Sequence, residues 1–75
     1  MSKDIILIIG ANGQLGSVLI KELQKIHGTT KVIASDVYLV PNFEGVFELL
    51  DATDIASLNK IIKKYSVTQI YHLAA

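Results

Sequence analysis

"LIIGANGQLGSVLI", residues 7–20, places Gly10, Gly13 and Gly16 between an aliphatic run and a stretch whose apolar residues recur at helical spacing. The segment leading into it, "DIILIIG" at 4–10, is short, rich in β-branched residues and closed by a glycine. Such a run suits a strand buried on both faces, as parallel sheets require. From Gln14 the period changes: Leu15, Val18, Leu19, Leu23 and Ile26 are expected to form the inward face of a first helix, with Ser17, Lys21, Gln24 and Lys25 opposite. Gly28 supplies its stop.

Working outward, "KVIASD" at 31–36 reads as a second strand and "GVFELLD" at 45–51 as a third. The link between them, "VYLVPNFE", is too short, and too interrupted by Pro41, for a crossover helix, so an irregular connection is expected. Thr53 is placed to cap a second helix whose apolar positions are Ile55, Leu58, Ile61, Ile62 and Tyr65, with Asn59, Lys60, Lys63 and Lys64 facing water. The lysines near its end suit the helix dipole. "TQIYHLAA" at 68–75 follows as a fourth strand. Alternating strands and helices imply parallel pairing with right-handed crossovers. The expected fold class is α/β: a Rossmann-like doubly wound parallel sheet, strand order 3-2-1-4, with the two helices on opposite faces. In such a sheet the ligand crevice lies at the C-terminal ends of strands one and four, where Gly10 and Ala74 fall.

Composition narrows the function. The 75 residues form at most one small domain, with seven basic and seven acidic residues and no cysteine. Charge balance advertises no nucleic-acid or anionic-membrane partner. Without thiolates, and with His27 and His72 far apart and lacking carboxylates at ligand spacing, no metal site is expected. No apolar run is long enough to span a bilayer, and "MSKD" lacks a signal-peptide core, so a cytoplasmic location is the expectation.

The three glycines form Gly-x-x-Gly-x-x-Gly. In a strand–loop–helix setting, Gly10 would permit the tight turn, Gly13 would let the backbone approach a pyrophosphate, and Gly16 would let the helix pack closely, leaving free amides at the helix start for phosphates. At a glycine frequency of about 7%, the bare pattern arises by chance in roughly two of a hundred chains this long, so context decides. The context is an acid, Asp36, 20 residues after Gly16 at the end of strand two, where it would meet the adenosine ribose hydroxyls. A carboxylate there accepts from a free 2′-hydroxyl and repels a 2′-phosphate, and no lysine or arginine lies between Ile5 and Ile20 to compensate, which favours NAD over NADP. Its plain alternative is a turn-initiating aspartate. Gly16 is followed by Ser17 and Val18 rather than by lysine and a hydroxyl, so a P-loop is excluded. Asp51 is placed either to accept from the adenine amino group or simply to lead a helix. His72 is expected in the core, His27 as a dipole contact at a helix end, and Tyr38, Tyr65 and Tyr71 as packing residues.

"GANGQLG", the acid in "VIASD", "LLDATD" and "YHLAA" together resemble, in order and spacing, the motifs of the extended short-chain dehydrogenase/reductases, the NAD-dependent epimerase/dehydratase family. The resemblance covers essentially the whole chain and is greatest for the branch that oxidises L-threonine to 2-amino-3-ketobutyrate with NAD, the L-threonine 3-dehydrogenases. It implies that residues 1–75 are the N-terminal part of an NAD-binding Rossmann domain. It assigns Gly10, Gly13, Gln14, Leu15 and Gly16 to the pyrophosphate, with Gln14 and Leu15 acting through backbone amides. It assigns Asp36 to the adenosine ribose, Asp51 and Ala52 to the adenine, and Leu73, Ala74 and Ala75 to the central part of the dinucleotide. The family's catalytic tyrosine is followed four residues later by lysine. Here the residues four after Tyr38, Tyr65 and Tyr71 are Asn42, Gln69 and Ala75, so the resemblance supplies no catalytic residue. The alternatives are a nucleotide-sugar epimerase/dehydratase of the same family and a non-enzymatic dinucleotide-sensing module. An unpaired apolar edge on strand four leads to an expectation of self-association.

Overall fold

Ile6, Leu7, Ile8 and Ile9 are all buried, and their side chains divide between two cores, which fixes them as the central strand of a two-sided sheet. The computed structural model describes residues 3–73. In chain order the elements are β1 (Ile6–Ile9), α1 (Gln14–His27), a 3-10 turn (Thr29–Lys31), β2 (Val32–Asp36), β3 (Val46–Leu49), α2 (Ile55–Tyr65) and β4 (Gln69–His72). All pairings are parallel and the strand order is β3-β2-β1-β4. Residues 37–45 form an irregular link with no helix, as the proline and the length require.

Strand alternation sends Ile6, Ile8, Val32 and Ala34 to one face, where Ala11, Ile20 and Leu23 meet them. Leu7, Ile9 and Ile33 go to the other, against Leu50 and Ile61. One helix on each face makes the sheet doubly wound. Leu58, Ile62 and Tyr65 of α2 pack against the second core as their spacing requires.

The inward face of α1 is not the one that hydropathy marks. Gly16, Ile20 and Leu23 are buried, with Leu19 packing beside them, whereas Leu15, Val18 and Ile26 are 68%, 60% and 69% exposed. The cause is Gly16, which has no side chain to register in a hydrophobic pattern and brings the helix backbone directly against the glycine loop, so the stripe through residues 16, 20 and 23 faces the sheet. Gly28, at φ 93°, ends α1, and its N–H donates to the Gln24 carbonyl.

Several further details depart from the sequence reading. Asp54 rather than Thr53 caps α2, accepting from the Ser57 N–H, and Ile55 in the first turn is exposed. β4 lies at the sheet edge with all four residues exposed, so His72 is not a core histidine. Tyr38 and Tyr71 are exposed as well, and of the three tyrosines only Tyr65 packs.

Candidate functional site

Parallel strands bring Gly10, Asp36, Asp51 and Leu73 to the C-terminal end of the sheet: Asp36 ends β2, Gly10 and Leu73 directly follow β1 and β4, and Asp51 lies two residues past the end of β3. Gly10 adopts φ 87°, a conformation that favours glycine, and turns the chain off β1. The turn is held from β2: the N–H groups of Gly10 and Ala11 both donate to the Ser35 carbonyl at 3.0 Å. The buried Ser35 hydroxyl donates to the Ile8 carbonyl at 2.8 Å.

Gly13 and Gly16 have different tasks. A Cβ built on Gly16 would lie 2.7 Å from the Ala11 carbonyl oxygen and 2.8 Å from that of Gly10, so only glycine lets α1 start this close to the loop. A Cβ on Gly13 would meet nothing nearer than the Gly10 carbonyl oxygen at 3.9 Å, which leaves the space above the loop open. Gly13 is the N-cap of α1, no side chain caps the helix, and its first turn carries no acid. The amides of the first turn therefore point toward that open space with the positive end of the helix dipole behind them. Leu15 presents its side chain to solvent, which leaves its backbone as the part that faces the loop's task.

At the end of β2, Asp36 is half-buried. Its Oδ2 accepts from the Asn12 N–H at 2.9 Å and its Oδ1 from the Val37 N–H at 2.7 Å. Each oxygen keeps a second lone pair, enough to receive two neighbouring hydroxyls. The Asp36 carbonyl accepts from the Leu50 N–H at 2.9 Å, tying the ends of β2 and β3 together. A cavity of about 310 Å³ opens beside them, lined by Val37, Leu49, Leu50, Asp51, Asp54 and Ser57. Asp51 is exposed there, and its Oδ1 accepts from the Thr53 hydroxyl at 2.7 Å and the Thr53 N–H at 2.9 Å. Those bonds, the hydroxyl first, hold the Asp51 carboxyl below its usual range. Thr53 thus serves this aspartate rather than the helix. Ala52 is half-buried against the α2 core.

On the other side of the crevice, the Leu73 N–H donates to the Ile9 carbonyl at 2.8 Å, and its side chain packs against the α1 core. Ala74 and Ala75 lie outside the described residues. A larger cavity, about 420 Å³, lies between α1 and the 37–45 link, lined among others by Lys21, Val40, Asn42 and Phe43. It begins at Ala11, Asn12 and Ser17 beside the glycine loop and runs along α1 to Lys21 and Gln24, away from Asp36 and Asp51.

A glycine turn, a close-packed helix start and an acid at the next strand end are the parts that a dinucleotide cradle requires. The profile described as the NAD dependent epimerase/dehydratase family matches residues 6–75. The chain belongs to the NAD-dependent epimerase/dehydratase family. An uncharacterized epimerase/dehydratase of Staphylococcus aureus is 34% identical over 74 residues, covering 93% of this chain and 23% of that protein. Among solved structures, the holo form of a GalE-like L-threonine dehydrogenase from Cupriavidus necator superimposes with a TM-score of 0.89 at 43% identity, over 95% of this chain and 23% of that one. The L-threonine dehydrogenase of Clostridium difficile gives 0.91 at 42% identity, over 96% and 24%. The epimerase/dehydratase chain described here thus spans about a quarter of the length of the relatives it matches.

Sequence reasoning missed three residues that build the cradle. Ser35 anchors the glycine turn, Asn12 joins it to β2, and Asp54 orders the start of α2 beside Asp51. Only Asp54 carries a local signal, an acid three residues before a serine that donates to it.

Proposed function

We propose that this chain is the NAD-binding N-terminal segment of an L-threonine 3-dehydrogenase, which oxidises threonine to 2-amino-3-ketobutyrate. The observation that carries the cofactor reading is Asp36: a carboxylate at the end of β2, oriented by two backbone N–H groups, beside a loop that only Gly16 allows to close. NAD, when bound, supplies the hydride acceptor. The chain's own residues bind and orient it: the amides following Gly13 receive the pyrophosphate, Asp36 receives the adenosine ribose hydroxyls, and Asp51, which lines the 310 Å³ cavity, borders the adenine with its neighbour Ala52. Gly10 joins those amides at the pyrophosphate, and Leu73, Ala74 and Ala75 are assigned to the central part of the dinucleotide.

NAD is preferred to NADP because a 2′-phosphate would bring a dianion against the Asp36 carboxylate. The threonine assignment is supported by the L-threonine dehydrogenases of Cupriavidus necator and Clostridium difficile, at 43% and 42% identity. No tyrosine here has a lysine four positions on, so the acid/base pair of the family is assigned to the part of the parent protein that this chain does not include. The chain is also assigned a tendency to self-associate through the open edge of β4.

Titration of the chain with NAD, NADP and AMP tests the reading. NAD and AMP should bind, NADP at least tenfold more weakly, and Asp36→Ala should remove that preference. Equal affinity for NAD and NADP in the parent chain would refute it. Threonine oxidation by the full parent protein tests the substrate; epimerisation of a nucleotide sugar instead would move the assignment to another branch of the family.

A further inference from the structure

Asn12 touches both halves of the cradle at once. Its backbone N–H donates to Asp36 Oδ2 at 2.9 Å, and its side-chain Nδ2 donates to the Tyr38 carbonyl at 2.8 Å. Both acceptors lie in the stretch where β2 runs out into the irregular link, and residues 37–40 are exposed. The backbone bond ties Asp36 to the glycine loop, and the side-chain bond from Asn12 ties the next part of the stretch, at Tyr38, to the same loop. The second bond to Asp36 comes from the N–H of Val37, one residue before Tyr38, so the direction of the carboxylate follows wherever 37–38 is held.

We infer that Asn12 is a positioning residue for ribose recognition: its side-chain amide, fastened to the Tyr38 carbonyl, sets the orientation of the Asp36 carboxylate. The inference rests on the proposed role of Asp36 at the ribose and goes beyond it. The physical argument is one of pre-organisation. A carboxylate held by two fixed N–H donors directs its remaining lone pairs without an ordering cost when the ligand arrives. Without the Asn12 amide, the 37–38 backbone is free to turn, the Val37 N–H leaves Oδ1, and the carboxylate must be ordered by the ligand itself. The loss then falls on the ribose hydroxyl contact and spares the pyrophosphate, whose amides lie beyond Gly13 on α1.

The test compares NAD with the analogue that lacks the 2′-hydroxyl on its adenosine ribose, in the parent chain and in Asn12→Ala, Asn12→Ser and Asp36→Asn. In the parent, NAD should bind about tenfold more tightly than the analogue, the size of one hydrogen bond to a charged group. Asn12→Ala should bring that ratio to about threefold or less while leaving analogue affinity within about twofold, and Asn12→Ser, which keeps a short donor, should fall between. In the ligand-free chain, hydrogen exchange at the Val37 amide should quicken in Asn12→Ala. Equal weakening of both ligands, or an unchanged ratio, would show that Asn12 serves only loop stability and would overturn the inference while leaving the ribose assignment intact. A parent chain without preference for the 2′-hydroxyl, or an Asp36→Asn variant that keeps it, would overturn the ribose assignment and this inference with it.

Discussion

At Gly16 two backbone oxygens stand under 3 Å from where a Cβ would be, and neither can swing aside as a side chain would. Gly16→Ala is therefore expected to destabilise the chain by about 1–3 kcal/mol, the usual cost of forcing atoms into a closed contact. Gly13→Ala meets open space and should stay within about 1 kcal/mol of the parent, most of that from a weaker N-cap. It should nonetheless weaken NAD binding at least tenfold, since the added methyl occupies the approach to the helix amides. Urea unfolding combined with NAD titration separates the two; equal destabilisation by both substitutions would contradict the division of tasks. The spacing of the glycines and Asp36 made these positions legible from sequence, because each answers to a backbone requirement that recurs at fixed intervals. Ser35 and Asn12 were not legible. Their roles depend on which carbonyl lies opposite across a strand pair, and no local pattern encodes that.

The helices show where periodicity succeeds and where it fails. On α2 the apolar positions pack inward nearly as spaced, because ordinary side chains define that face. On α1 a glycine defines the inward stripe, and a hydropathy pattern weights it as nothing. α2 is also pinned to β3 by Glu48, which accepts from the Tyr65 hydroxyl and from Lys64 Nζ at 2.9 Å, with that ammonium 5.1 Å from the centre of the Tyr65 ring. The Tyr65 bond first, and then Lys64, hold the Glu48 carboxyl below its ordinary value of 4.5. A carboxylate with a depressed folded pKa stabilises above its unfolded pKa and loses that contribution as pH falls through the folded one. Stability should thus decline from about pH 4.5 downward, and Glu48→Gln should flatten that limb at a cost near neutrality of roughly 1 kcal/mol. Burial first, and then the Glu48 bond, raise the Tyr65 hydroxyl above its ordinary value of 10.0, so its contribution is complete below pH 10.0 and is lost above it. Tyr65→Phe should remove that alkaline limb. Denaturant midpoints measured from pH 2 to pH 11 check both signs; limbs as steep in the variants as in the parent would show the cluster to be inert. Loss of the α2 cap in Asp54→Ala should lower the melting temperature by several degrees, as followed by circular dichroism.

For the molecule as a whole, strand order and parallel pairing follow from the alternation of elements, which is why they were legible in the sequence. The exposure of β4 was less so, because burial of a strand depends on what lies beside it. With Ile70 and Tyr71 exposed along that edge, the chain should self-associate at micromolar concentration, and Ile70→Lys should shift it toward monomer in sedimentation. A parent chain that sediments as a monomer at that concentration would count against the edge. The central claim is that the crevice at the strand ends, and not the larger cavity flanking α1, takes the dinucleotide. Amide chemical-shift mapping of the labelled chain during NAD titration tests it most directly. The predicted result is that shifts concentrate at residues 10–16, at Asp36 and Val37, and at Asp51 and Ala52. The glycine loop borders the larger cavity as well as the crevice, so the deciding residues are elsewhere: shifts at Lys21, Gln24, Asn42 and Phe43, along the 420 Å³ cavity, without shifts at Asp36, Asp51 and Ala52 would contradict the account.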